Sequence, residues 1–274
     1  MIRRPTIVAN QDDLEYGAFP FHSRWAILAI LVAASTFLVS DYLFEVAIFT
    51  FIAFVIIRNK LALGAIIGRV PSGYDWWPIV LLTGGGILYS VGSSLAIIYP
   101  LYHLDSELVN ELLAEEIIPG SAMYSFISLV VLAPILEEVL FRGLIFSRLT
   151  KKWNMTWGMI LSSLAFGLLH MDPIGAFVFG IMTCVLYVRT KTLLVPMVLH
   201  AMNNLLAWFM TAGSESGEMD STIDAELVSH LAYAGLIFMM IGAPIIFTLL
   251  GRWWPARGTS IPYEVNSGVD KAGS

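Results

Sequence analysis

Three short patterns in this 274-residue chain combine side chains that can move protons. The first is Glu137-Glu138-Val139-Leu140-Phe141-Arg142, the second Phe166-Gly167-Leu168-Leu169-His170, the third His200-Ala201-Met202-Asn203-Asn204. On a helix Glu138 and Arg142 are four apart, acid before base, the spacing and order at which side chains meet as an ion pair. Pairing neutralises both groups. Glu137 is turned about 100° away, so it lacks that local partner and must face another element. A carboxylate beside a negative neighbour and away from bulk water holds a proton more readily, the condition for acid–base work near neutral pH. Phe166 shares a helical face with His170, and His200 shares one with Asn204. Singly, a Glu pair bridging helices or a packed core His explains each pattern. Together, a carboxylate base, two imidazoles and a carboxamide suffice to activate water against a carbonyl and stabilise the oxyanion that forms.

All three patterns lie inside apolar sequence. Hydrophobic residues make up 57% of the chain and charged residues 13%, a balance outside that of soluble domains and typical of a polytopic, all-α membrane bundle. An ionisable side chain at mid-bilayer costs about 2.5–3.5 kcal/mol on insertion scales, so a cluster of them reads as a functional site. Eight transmembrane helices are expected. Residues 25–57 form one run too long for a single helix and interrupted at Ser40-Asp41 and Glu45, which reads as a helical hairpin. The others cover about 77–100, 121–146, 153–170, 174–188, 193–211 and 228–250. Residues 61–68 are apolar but too short to span, which suggests an interfacial or re-entrant helix. Gly86, Ser90 and Ser94 recur four apart on one face of the third span, the pattern of close helix packing. Residues 1–20 and 255–274 are polar and expected to be poorly ordered.

Arg142 apart, the Lys and Arg residues fall in the gaps at alternate ends of these runs, whereas 101–120 and 212–227 carry ten acidic residues and no Lys or Arg. By the positive-inside rule both termini are cytoplasmic. Trp25, Trp76, Trp77, Trp153, Trp253 and Trp254 sit at span ends, where amphipathic rings favour the headgroup region. A net charge of −6 argues against a nucleic-acid partner, which requires clustered Lys and Arg. The single cysteine, Cys184, excludes an intramolecular disulfide and a multi-cysteine metal site. Nothing before Trp25 offers the apolar core of a cleavable signal peptide, and no internal repeat is visible.

The ordered set EExxxR, FxxxH and HxxxN, each on its own apolar helix, resembles the CPBP family of intramembrane proteases, which includes the type II CAAX prenyl endopeptidases. The resemblance covers about 121–209. It implies that Glu137 and His170 together activate the nucleophilic water, that His200 and Asn204 form the oxyanion hole, and that Glu138, Arg142 and Phe166 support the site. It divides the chain into an N-terminal cytoplasmic segment (1–24), N-terminal membrane helices (25–120), a protease core (121–211), an extracytoplasmic loop with the last helix (212–254) and a cytoplasmic tail (255–274). The implied substrate is a membrane-associated protein or peptide, of the prenylated CAAX type only if the host prenylates proteins. Family members have been described both as metalloproteases and as metal-free, glutamate-dependent proteases. The chain lacks the HExxH helix of many zinc proteases, and Asn204 beside His200 suits oxyanion donation, so a metal-free site is expected. Glu137, His170 and His200 could nonetheless supply three zinc ligands. Two other classes also bury such groups, a secondary transporter and a non-catalytic binding or immunity protein. The transporter should show paired half-repeats, which are not found. One geometrical difficulty stands out: His170 lies roughly 27 Å along a straight helix from Lys152, too far out to meet Glu137 unless the fifth span tilts or breaks near Asp172-Pro173.

Overall fold

The computed structural model describes residues 41–114, 122–212 and 224–268, with positions 24, 25, 27, 28 and 31 before them. Every regular element among them is helical. In chain order these are α1 (Asp41–Arg58), α2 (Leu63–Ile67), α3 (Trp77–Leu104), α4 (Ser106–Ala114), α5 (122–152), α6 (Met155–Gly167), α7 (Pro173–Thr190), α8 (Leu194–Ala212), α9 (Ala225–Trp253) and α10 (Pro262–Ser267). Each span expected from the second onward is therefore a helix; most of the first lies outside the described residues. By length and hydropathy α3, α7 and α9 are long and apolar enough to cross a membrane, and α6 and α8 are shorter apolar helices. The count of eight crossings is thus not established.

Helix starts follow local chemistry. Asn154, Asp172 and Asp224 each cap a helix by accepting the backbone N–H of Trp157, Gly175 and Leu227 respectively. Proline opens α7 and α10, where its missing N–H costs nothing. α7 ends at Lys191, whose φ of 58° breaks the helix.

Helices α3 and α9 run antiparallel in backbone contact. A Cβ at Gly92 would lie 2.6 Å from the Gly235 carbonyl oxygen, and one at Gly235 would lie 2.6 Å from that of Gly92. One turn-pair along, a Cβ at Gly242 would meet the Gly85 oxygen at the same distance. Glycines seven apart on both helices therefore set the crossing, as small residues do where lipid supplies no hydrophobic drive for association. The outward faces are apolar: Leu236, Ile237 and Phe247 are each about half exposed, as for a surface that meets lipid. α7 is the central helix, buried almost all round from Val178 to Val188, the expectation for a helix that is apolar on every side.

α5 is one continuous helical run with two π-helical stretches, Ile127–Leu132 and Glu138–Phe146. Pro134 accounts for a feature of the first. In the π register the Ala133 N–H reaches back to the Ser128 carbonyl; the next carbonyl, Leu129, would need an N–H from residue 134, and proline has none. α8 fills the gap, as Asn204 Nδ2 donates to the Leu129 oxygen at 2.8 Å. In the second stretch Ser162 of α6 donates to the Phe141 carbonyl at 2.8 Å, and Ser147 to that of Arg142.

The short helix expected within 61–68 forms as α2. Part of the tail expected to be poorly ordered is instead ordered by packing: Ile261, Tyr263 and Glu264 are buried, Glu264 pairs with Lys151 at 2.5 Å, and Asn266 Nδ2 donates to the carbonyls of Ala65 and Lys191. Within 255–268, Glu264 and Asn266 thus serve a charge and two carbonyls. Residues 1–20 lie outside the described set.

Candidate active site

α5, α6 and α8 converge on the Glu137 carboxylate. α5 carries Glu137 at the end of its α-helical turn and Glu138 at the first position of the second π stretch. A π-helix is wider than an α-helix, yet the i,i+4 pair survives: Arg142 Nη1 lies 3.2 Å from Glu138 Oε1, both side chains fully buried. The guanidinium also stacks over the Phe166 ring, 4.2 Å from its centroid, an arrangement that favours a desolvated cation.

Phe166 is a wedge with two charged or polar tenants. His170 also lies against it, 4.2 Å away ring to ring. α6 ends at Gly167, and His170 sits in the turn before α7, so the difficulty posed by a straight fifth span is met by a helix that stops inside the protein. A Cβ at Gly167 would fall 2.7 Å from the Pro173 carbonyl oxygen, so the reversal needs glycine there. The His170 ring folds back, with Nδ1 2.7 Å from the Phe166 carbonyl. A carbonyl only accepts, so Nδ1 carries the hydrogen and Nε2 is the lone pair of the neutral ring.

His200 is fixed in the same sense. Its Nδ1 lies 3.0 Å from Glu138 Oε1, and the carboxylate, already paired with Arg142, accepts. Phe179 of α7 packs edge-on against this imidazole at 5.0 Å. Both free Nε2 atoms face one oxygen: Glu137 Oε2 lies 3.8 Å from that of His170 and 3.7 Å from that of His200. These separations exceed a direct hydrogen bond but suit a bridging water. Glu137 Oε2 is buried and has no hydrogen-bond partner in the protein, so an acceptor that ought to be satisfied points at the place where such a water would sit. Exposure rises across the group, from 0% for the Glu138 and Arg142 side chains to 11% for Glu137 and 34% for His170. The buried ion pair forms the floor and His170 the rim.

Asn204 lies one turn beyond His200, but one of its amide hydrogens is committed to Leu129, leaving the other free to donate. As possible metal ligands, Glu137, His170 and His200 offer a nitrogen, nitrogen, oxygen set, each imidazole holding its other N–H against an acceptor, as metal-binding histidines do. Their 3.7–3.8 Å spacing is wider than the edge of about 3.4 Å in a tetrahedral zinc site. Among the described residues no His, Cys, Asp or Glu side chains form a ready metal-binding group.

Several participants escaped the sequence patterns. Phe179 looked like one more apolar residue of α7. The use of Asn204 as a cap was legible in principle from the missing N–H of Pro134. Glu45, which the sequence allowed as either a span interruption or a polar interior position, accepts a hydrogen bond from Ser128 of α5.

Comparisons with known proteins agree with the motifs. Residues 119–206 match the family described as type II CAAX prenyl endopeptidase Rce1-like, and the resemblance read from the three patterns is borne out over that segment. Over 126 residues the chain is 32% identical to "Putative membrane peptidase YdiL" of Bacillus subtilis (strain 168), which covers 45% of this chain and 51% of that protein. It is 27% identical over 174 residues to "Uncharacterized 24.3 kDa protein" of Escherichia coli, covering 58% of this chain and 76% of that one. The match thus spans about half the length of the Bacillus relative. No solved structure is significantly similar.

Proposed function

We propose that the chain is an intramembrane endopeptidase that hydrolyses a peptide bond of a membrane-associated protein or peptide. The observation that carries this reading is the partnerless Glu137 Oε2 facing the Nε2 atoms of His170 and His200. Water bridging these atoms gives a proton to Glu137 as its oxygen attacks the peptide carbonyl carbon, with His170 Nε2 accepting its second hydrogen as an orienting bond. The C=O electron pair becomes an oxyanion. When the intermediate collapses, the C–N bond breaks and Glu137 returns its proton to the leaving nitrogen, so the carboxylate is regenerated.

His200 donates to the oxyanion through Nε2. Because its Nδ1–H is given to Glu138, this requires the imidazolium, and Glu138 is placed to stabilise that charge. The remaining N–H of Asn204 is the second donor. Glu138, Arg142 and Phe166 hold the two imidazoles in register. The type II CAAX prenyl endopeptidase match makes a prenylated CAAX-type chain one candidate substrate, in a host that prenylates proteins. Both termini face the cytoplasm in this account, on the evidence of the Lys and Arg distribution.

A second reading, a three-ligand zinc site, is favoured by one observation: both Nδ1–H groups are occupied, which leaves two Nε2 lone pairs and a carboxylate oxygen converging. Glu137, His170 and His200 would hold the ion, which would supply Lewis acidity and a more acidic bound water. The metal-free reading is preferred because Asn204 and a charged His200 then have work as donors. Purified protein tested on a fluorogenic peptide, with zinc measured per chain before and after exhaustive chelation, separates the two. Activity surviving chelation supports the first; activity and stoichiometric zinc lost together, and restored by adding zinc back, supports the second. Absence of any cleavage would instead favour the transporter or binding-protein classes.

A further inference from the structure

The serine face of α3 does more than pack. Ser90 Oγ donates to Asp172 Oδ2 at 2.6 Å, and Ser93 Oγ lies 2.9 and 3.0 Å from the two Asp172 oxygens. Asp172 also accepts the Gly175 N–H at 2.9 Å, capping α7. Capping alone needs one oxygen and no contact with α3; any Asn, Ser or Thr would serve. Here both oxygens of one carboxylate meet donors from two helices, two residues after His170. The packing is close enough that a Cβ at Gly175 would lie 2.9 Å from Ser90 Cα.

The turn so anchored, 168–172, is tied back to α6 by the N–H groups of Leu168, Leu169 and His170, which bond to the carbonyls of Leu164, Phe166 and Gly167, and it carries His170. Toward α6 its imidazole is tethered by the Phe166 carbonyl. Toward α7 the nearest fixed point is Asp172. We infer that the Ser90–Ser93–Asp172 cluster is a positioning clamp for His170, holding the turn at the height where Nε2 faces Glu137. This rests on the reading of His170 as half of the water-activating pair. Asp172 is a positioning residue: it touches neither substrate nor the reacting atoms. The chemistry explains the choice of an acid. Two hydroxyls and an amide converge, and a carboxylate can accept all three at once, whereas an Asn at this position has a single acceptor oxygen.

The test combines turnover with a direct view of the imidazole. In histidine-labelled protein in nanodiscs, the His170 Nδ1–H resonance is identified by its loss in His170→Gln. In Asp172→Ala, and in the milder Ser90→Ala/Ser93→Ala double variant, it should shift or broaden while helicity and elution as a folded species are retained; Asp172→Asn should fall between these and the wild type. Turnover should drop by about 10²-fold in kcat for Asp172→Ala, the order expected for misplacement of about 1 Å, with KM changed less than twofold. In a His170→Ala background Asp172→Ala should cost nothing further, whereas a merely structural role would reduce activity in both backgrounds. An unperturbed His170 resonance in both clamp variants, or multiplicative kinetic losses, overturns the clamp. The resonance is read without substrate, so it decides the clamp even where peptidase activity fails, and the two failures stay distinct.

Discussion

Glu137 and Glu138 are neighbours in sequence with opposite fates, and the difference is one of partners. Glu138 is neutralised by Arg142 and held by His200, while Glu137 Oε2 is left for something the protein does not supply. Glu137→Gln should therefore abolish turnover with little change in stability, checked by pairing peptide cleavage with thermal unfolding in detergent. Glu138→Ala should act mainly on stability, because it strands Arg142 in a fully buried position; breaking such a pair from one side typically costs about 3–5 kcal/mol, and a loss of unfolding temperature in Glu138→Ala but not Glu137→Gln would show it. The distinction between the two acids was legible in the sequence, since only Glu138 has a base four residues on. The tautomers were not. They depend on the Phe166 carbonyl and on Glu138 reaching across to another helix, contacts that no spacing along one helix reveals.

The elements that position these side chains depart from ideal geometry where the sequence offers a physical reason. Pro134 withdraws an N–H, α5 takes up a π stretch, and Asn204 caps the Leu129 carbonyl that is left over. Pro134→Ala returns an N–H to that carbonyl, so the stability cost of Asn204→Ala should be smaller in the Pro134→Ala background than in the wild type; equal costs in both would mean that the cap does not depend on proline. The kinetic part of the Asn204→Ala effect, about 10²–10³ in kcat for a lost oxyanion donor, should persist in both backgrounds. Helix positions were readable from apolar runs with accurate centres, because each run must bury its backbone hydrogen bonds within itself. A break was anticipated at Asp172-Pro173, as a way out of a distance problem, whereas the helix ends earlier, at Gly167; the docking of Pro262–Ser267 was hidden because its partners include backbone carbonyls of α2 and the α7–α8 turn. At the α3–α9 crossing, Gly92→Ala should destabilise by about 1–3 kcal/mol through overpacking, since its Cβ would meet the Gly235 carbonyl oxygen at 2.6 Å and the Met239 backbone nitrogen at 2.8 Å; an unchanged melting temperature would contradict the backbone contact.

Taken whole, the molecule is an apolar helical body with a graded polar centre, dry and paired at Arg142 and Glu138, half open at His170. That gradient is what a hydrolase in lipid requires: opposite charges set side by side at the buried end, and an unpaired acceptor, Glu137 Oε2, nearer the open end where a water can be held. Composition alone made the membrane setting legible, whereas the number of crossings depends on how short helices such as α6 lie in the bilayer, which hydropathy does not determine. The central claim is that Glu137 and His170 act on one water. It is tested most directly by kcat/KM for wild type, Glu137→Ala, His170→Ala and the double variant on one fluorogenic peptide in nanodiscs. Groups that act as a unit are not additive, so the account predicts that the double variant loses little more than either single one. Independent losses that multiply would show that the two side chains do not share a water, and would contradict the mechanism.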